Sequence, residues 1–205
     1  WGQHKYIDDI ELREDGGTPA FLQAIRAALS MELKAQMGTA NMRAREQELL
    51  DIAFPALADI PHLHILAEKV TNRLGILSFY IDGIHFNLVV KLLSDRYGIQ
   101  VRGGCACAGT YGHYLLNVSH DDSKIITDRI NHGDLSLKPG WIRLSLHPTM
   151  TNRELNTVID ALRAIQAHHD SWAKDYLYNH HTNEFRHISE LEDRTDVVRP
   201  WFILG

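Results

Sequence analysis

The sequence predicts an α+β fold, a mixed or antiparallel sheet covered by helices and preceded by a helical N-terminal segment. Three observations carry that expectation. The short runs "LHILA", "GILSFYI" and "WIRLSLH" read as strands, the last alternating strictly. Apolar stripes at helical spacing stand on both sides of them. A capping-box pattern, Thr151 with Glu154, opens the clearest of those stripes.

In chain order, Thr18 and Pro19 predict a helix start, Thr18 as N-cap and Pro19 in the first helical position. Leu22, Ile25, Leu29 and Leu33 recur at helical spacing, and Gly38 stops the run. A second helix is expected from Asn41 to Ala53, with Pro55 and Pro61 bracketing its exit. The two middle strands follow. Between Gly83 and Gly98 lies a helical stripe of Phe86, Val89, Leu93 and Tyr97, and "IQVR" is expected as a short strand. Asp121, Asp122 and Ser123 start another helix, carrying Ile125, Ile126 and Ile130. In "WIRLSLH", Ile142, Leu144 and Leu146 share one face, with Trp141, Arg143 and Ser145 on the other. The last helix, from Thr151, buries Leu155, Val158, Ile159, Leu162 and Ile165 and runs to His168. The remainder is expected as an extended tail that docks the aromatics of "WFILG" onto the body.

A chain of 205 residues with 44% hydrophobic content can build a real core. The net charge of −5 and the scattered Lys and Arg give no footprint for nucleic acid. No apolar run is long enough for a membrane helix. Two cysteines make no disulfide framework, so a reducing, cytoplasmic setting is expected. The chain opens on Trp1 rather than Met and is expected to begin inside a longer protein.

Three stretches carry chemistry. "EDGGTP" is either an ordinary capped turn or an anion cradle, since Gly16 and Gly17 free the backbone and a helix N-terminus follows with the Thr18 hydroxyl. Arg143 is either a solvent-facing arginine or a planar fork aimed at a carboxylate. "VRGGCACAGTYGH" holds both cysteines. Cys105, Cys107 and His113 fall short of four zinc ligands, and CxC is not the usual knuckle, so no metal is expected. The loop reads as small buried thiols, or as a reactive cysteine made acidic by Arg102. His62 and His64 read as a polar strand face, and the His168-His169 and His180-His181 pairs as solvated or hydrogen-bonded.

"REDGGTP", "GIQVRGGCACAG" and "GWIRLSLHPTMTNREL", in that order, resemble the class V aminotransferase family over about residues 5 to 168. The family includes cysteine desulfurases and selenocysteine lyases, which are dimeric pyridoxal-phosphate enzymes of fold type I. The resemblance implies that Gly17 and Thr18 form the turn that reaches across the dimer to the cofactor phosphate. It implies that Arg143 clamps the substrate carboxylate and that Arg102 belongs to the substrate site. It places Cys107 where desulfurases carry their sulfur-accepting cysteine, five residues after Arg102. Here Ala106, not histidine, precedes Cys107, and the segment from Cys107 to Arg143 is longer than in ordinary desulfurases.

The family's cofactor-anchoring lysine lies upstream of the turn by more than the seventeen residues that precede Thr18. The resemblance therefore implies a C-terminal portion. Residues 1–40 would be the tail of the large domain and a connecting helix, 41–170 the small α+β domain, and 171–205 the extended tail. Its partners would be the N-terminal large domain, a second copy in a homodimer and an amino-acid substrate. The activity implied is transamination, epimerisation or lyase chemistry, with a cysteine desulfurase as the alternative. A non-catalytic binding or metal-binding module is the alternative of another class. Alone, the chain is expected to be inactive and not to retain pyridoxal phosphate.

Overall fold

The computed structural model describes residues 2–105, 109–191 and 203. It divides into two units, residues 1–44 and 45–205.

The first unit holds α1 (Ile10–Glu14), α2 (Phe21–Met37) and the first residues of α3 (Thr39–Ala58). Asp9 caps α1, its carboxylate accepting from the Glu11 and Leu12 amides at 2.9 and 3.1 Å. The expected cap of α2 is displaced: Ala20 stands at its N-cap, with no side-chain hydrogen bond. The Phe21 amide bonds the Pro19 carbonyl at 2.7 Å, a tight turn that delays the helical ladder until Ala24 bonds Ala20. Gly38, at φ 77°, ends α2 as expected, its N–H donating to the Lys34 and Ala35 carbonyls. The apolar stripe of α2 is uncovered within this unit: Phe21, Leu22, Ile25, Leu29 and Leu33 are 53–64% exposed.

Helix α3 runs through Pro55 to Ala58, past the expected end at Ala53. Proline removes one ladder bond, but Leu49, Leu50, Ala53 and Leu57 are buried on one face, and the Pro55 carbonyl still accepts from Asp59. Burying such side chains is worth about 1.5–3 kcal/mol each, which outweighs one lost bond.

In the second unit, β1 (Leu63–Ile65), β2 (Ile76–Ile81), β3 (Arg102–Gly104) and β4 (Trp141–Ser145) form an antiparallel sheet in the order β1-β2-β4-β3. Leu63, Ile65, Leu77, Phe79, Ile81, Ile142 and Leu144 join one core with α3, α4 (Phe86–Tyr97) and α7 (Asn152–Trp172). Strand β3 begins later than "IQVR", at Arg102, and its glycines let α4 come close. A Cβ on Gly103 would stand 2.8 Å from Asn87 Oδ1 and 2.9 Å from Val90 Cγ2. Helix α7 carries the full Thr151–Glu154 capping box.

Beyond β3 lie α5 (Gly109–Leu115) and α6 (His120–Asn131), the latter capped by Ser119, with Ile126 its buried residue. Where an extended tail is expected, the chain from Tyr176 to His187 folds into a hairpin of β5 (Tyr176–Asn179) and β6 (Glu184–His187). Two ties explain it. Asn183 takes φ 60° at the turn, its side chain accepts from the Tyr178 hydroxyl, and its carbonyl accepts from Asn87. The Tyr178 and Phe185 rings then gather on His85. Trp201 and Phe202, expected to dock, lie outside the described residues. Among the described residues no helix is long and apolar enough to cross a membrane.

Candidate functional site

Alternation along β4 sets Arg143 on the sheet face opposite Ile142 and Leu144, which are buried in the core. Register then decides its neighbours. Ser78 of β2 stands opposite Arg143 on one side, and Arg102 of β3 stands opposite it on the other. Directly opposed residues of an antiparallel pair share a face, so Ser78, Arg143 and Arg102 form one row across three strands. Arg143 is half-buried and Arg102 exposed. The Arg143 Nε is buried without a hydrogen-bond partner. Among the described residues neither guanidinium has an ion-pair partner.

Further along the same face, His64 and Tyr80 are opposed in register and stacked, with centroids 4.9 Å apart. His64 Nε2 lies 2.7 Å from Asp82 Oδ2. Burial, and then the Asp82 charge, hold the Tyr80 phenol above its usual value. A hollow of about 330 Å³ beside this pair is lined by Glu68, Lys69 and Leu115 of α5 as well.

Helix α5 packs towards this face. A Cβ on Gly112 of α5 would stand 3.2 Å from the Trp141 ring and 3.7 Å from Cys105 Cβ. Trp141 precedes Arg143 by two residues, on the same side of β4. Cys105 is half-buried. Cys107 lies outside the described residues. Among the described residues no group of three or more His, Cys, Asp or Glu converges as a metal site. Gly17 and Thr18 belong to the first unit. Gly17 takes φ 143° with open space where a Cβ would stand, and its amide reaches Asp15 Oδ1 at 3.4 Å. Thr18 is exposed.

A larger cleft of about 840 Å³ opens between α4, β3 and β6, lined by Asn87, Val90, Lys91, Cys105, Lys138 and Arg186 among others. Neither Arg143 nor Arg102 lines it, and Lys91 is engaged with Asp95 at 3.2 Å. The Ser78–Arg143–Arg102 row therefore lies apart from this cleft. Sequence reasoning missed Ser78, Tyr80 and Asp82. The signal was present in "GILSFYI", where Ser78 and Tyr80 alternate with the buried Leu77, Phe79 and Ile81.

The fold and this face define an α+β domain whose sheet presents unneutralised guanidinium groups. The aminotransferase class-V family model matches residues 2–158, and the chain belongs to that family. It is 30% identical over 163 residues to a probable cysteine desulfurase of Synechocystis sp., covering 78% of this chain and 34% of that protein. It is 25% identical over 100 residues to a cysteine desulfurase of Haloferax volcanii, covering 49% of this chain and 23% of that one. The chain thus spans about a third or less of the length of these curated relatives. Among solved structures it shares its fold with a NifS-like protein of Rickettsia africae, with TM-score 0.56 and 19% identity, over 80% of this chain and 39% of the other. A cysteine desulfurase of Thermococcus onnurineus gives TM-score 0.55 and 19% identity, over 76% and 33%.

Proposed function

We propose that the chain is the C-terminal part of a pyridoxal-phosphate-dependent enzyme that acts on an amino acid by transamination, epimerisation or lyase chemistry. The observation that carries this reading is Arg143, a half-buried guanidinium with an unpartnered Nε on the polar face of the sheet. A half-buried fork on that face, without an ion-pair partner among the described residues, is suited to a substrate carboxylate.

The residues fit the cofactor as well. Gly17 leaves open space at a positive φ, and the Thr18 hydroxyl is engaged by none of the described residues. The Thr18 hydroxyl is free to take a phosphate, in a homodimer that of the second copy, and the Gly17 amide joins it once released from Asp15 Oδ1, to which it donates at 3.4 Å. When bound, the cofactor supplies an electron sink for charge developing at the substrate Cα. In this reading Arg143 binds and orients the carboxylate, Arg102 extends the same row, and α5 excludes water over Trp141. The lysine that anchors the cofactor would lie in the part of the relatives that the chain does not span, a large domain in the same cytoplasmic polypeptide.

The test is Arg143→Ala in the full-length polypeptide loaded with pyridoxal phosphate. Losing a charge-assisted contact to substrate costs about 2–4 kcal/mol, a thirtyfold to thousandfold fall in kcat/KM. Unchanged efficiency towards every amino acid tried would remove Arg143 from the site. The second reading is a cysteine desulfurase with Cys107 as sulfur acceptor, favoured by the name of the Synechocystis relative and by the five-residue spacing after Arg102.

A further inference from the structure

The Ser78–Arg143–Arg102 row places two positive charges directly opposite one another in an antiparallel pair. Like charges so placed destabilise a sheet. A carboxylate from the protein would ordinarily relieve them, and among the described residues none does. Asp82, at the end of β2, is bonded to His64 instead. One substrate carboxylate satisfies one planar fork. The second guanidinium is left over.

We propose that the site takes amino acids with a second carboxylate, aspartate or glutamate, whose side-chain carboxylate binds Arg102; this rests on the reading of Arg143 as the clamp of the α-carboxylate. The two arginines differ in the way such a division needs. Arg143 is half-buried on an inner strand with an orphaned Nε, a fixed inner anchor. Arg102 is exposed on the edge strand, at the open rim. Neighbouring strands stand about 4.8 Å apart, a separation that two carboxylates joined through two or three carbons can span. On the other side of Arg143 the row ends in Ser78, which carries no charge. The second anion is therefore drawn to one side only. Phosphate, which concentrates two charges on one group, is the competing occupant of the pair.

The experiment follows the Nε–Hε signals of Arg102 and Arg143 in the 15N-arginine-labelled full-length polypeptide loaded with pyridoxal phosphate. L-aspartate, L-glutamate, L-alanine and inorganic phosphate are titrated in turn. L-aspartate is expected to shift both signals, with affinity about tenfold or more above that of L-alanine, which shifts Arg143 alone. Arg102→Gln is expected to bring the ratio of the two affinities to about one, and Arg143→Gln to remove the response to both. Arg102→Lys, which keeps the charge and loses the fork, should give an intermediate ratio and guards against a folding defect. Three results would overturn the proposal while leaving the Arg143 reading standing. They are equal affinities for L-aspartate and L-alanine, an Arg102 signal that ignores L-aspartate, or phosphate binding the pair more tightly than L-aspartate. An Arg143 signal silent to both amino acids would overturn that reading and the proposal with it.

Discussion

Cys107 decides between the two enzymatic readings at the scale of one atom. Serine is a far poorer nucleophile towards sulfur than a thiolate. Cys107→Ser in the full-length polypeptide is expected to separate sulfide release from amino-group transfer. We expect transfer to survive, because Ala106 stands where desulfurases carry histidine. Loss of all sulfide release from L-cysteine would instead establish the desulfurase. His85 gives a residue-level prediction about stability. Its Nδ1 caps α4 by accepting from the Asn87 amide, while Nε2 is buried and unpartnered. Burial pushes its pKa below the ordinary 6.5, with Asn183 opposing. The unfolded chain then takes up a proton that the folded chain refuses, so stability falls with pH below that ordinary value and through the depressed one. His85→Asn retains a capping side chain and should flatten that part of the urea-midpoint profile relative to the parent. An unaltered profile would show that His85 is not the titrating group. The face of β4 that Arg143 occupies was legible from alternation alone. That Ser78 and Arg102 would flank Arg143 was not, because register is fixed by how strands meet and not by any one strand's pattern.

Elements whose ends are set by local chemistry could be read directly. Gly98 closes α4 with φ 66°, and Thr151 with Glu154 opens α7. Boundaries set by tertiary burial could not. Helix α3 passes Pro55 because its apolar face is covered, and the hairpin of β5 and β6 forms because Asn183 and the aromatic rings bind it to the start of α4. The capping box offers a measurable prediction. The Glu154 carboxylate accepts from the Thr151 amide at 2.7 Å and from its hydroxyl at 2.8 Å, and these bonds hold its pKa below the usual range. A depressed carboxylate contributes stability above its unfolded pKa and loses it as pH falls through the folded one. Thr151→Ala should cost about 1 kcal/mol at neutral pH. The penalty should shrink in acid, once Glu154 is protonated in both proteins. A penalty constant from neutral to acid pH would mean that the hydroxyl acts without the carboxylate.

The whole molecule is uneven in a way that its composition hides. The second unit gathers every buried side chain of the described residues, from Leu49 to Asn183, while none between residues 2 and 44 is buried. Helix α2 therefore rests on its own hydrogen bonds. An isolated helix of 17 residues is marginal in water, since nucleation is costly and little but propensity sustains it. Its exposed stripe, from Phe21 to Leu33, is contiguous apolar surface of the kind that marks a face for a partner. The large domain and the second copy of the proposed dimer are the candidates. Hydrogen exchange of the 205-residue chain should divide along the same line. Amides of β2, β4 and α7 should be protected to near the global stability, since they open only with the core. Amides of Phe21–Met37 should exchange close to the rate of a free helix. In the full-length polypeptide the same amides should slow by orders of magnitude. Protection of α2 in the 205-residue chain as strong as that of β4 would show that its stripe is covered without any further chain, and would take away its claim to be an interface.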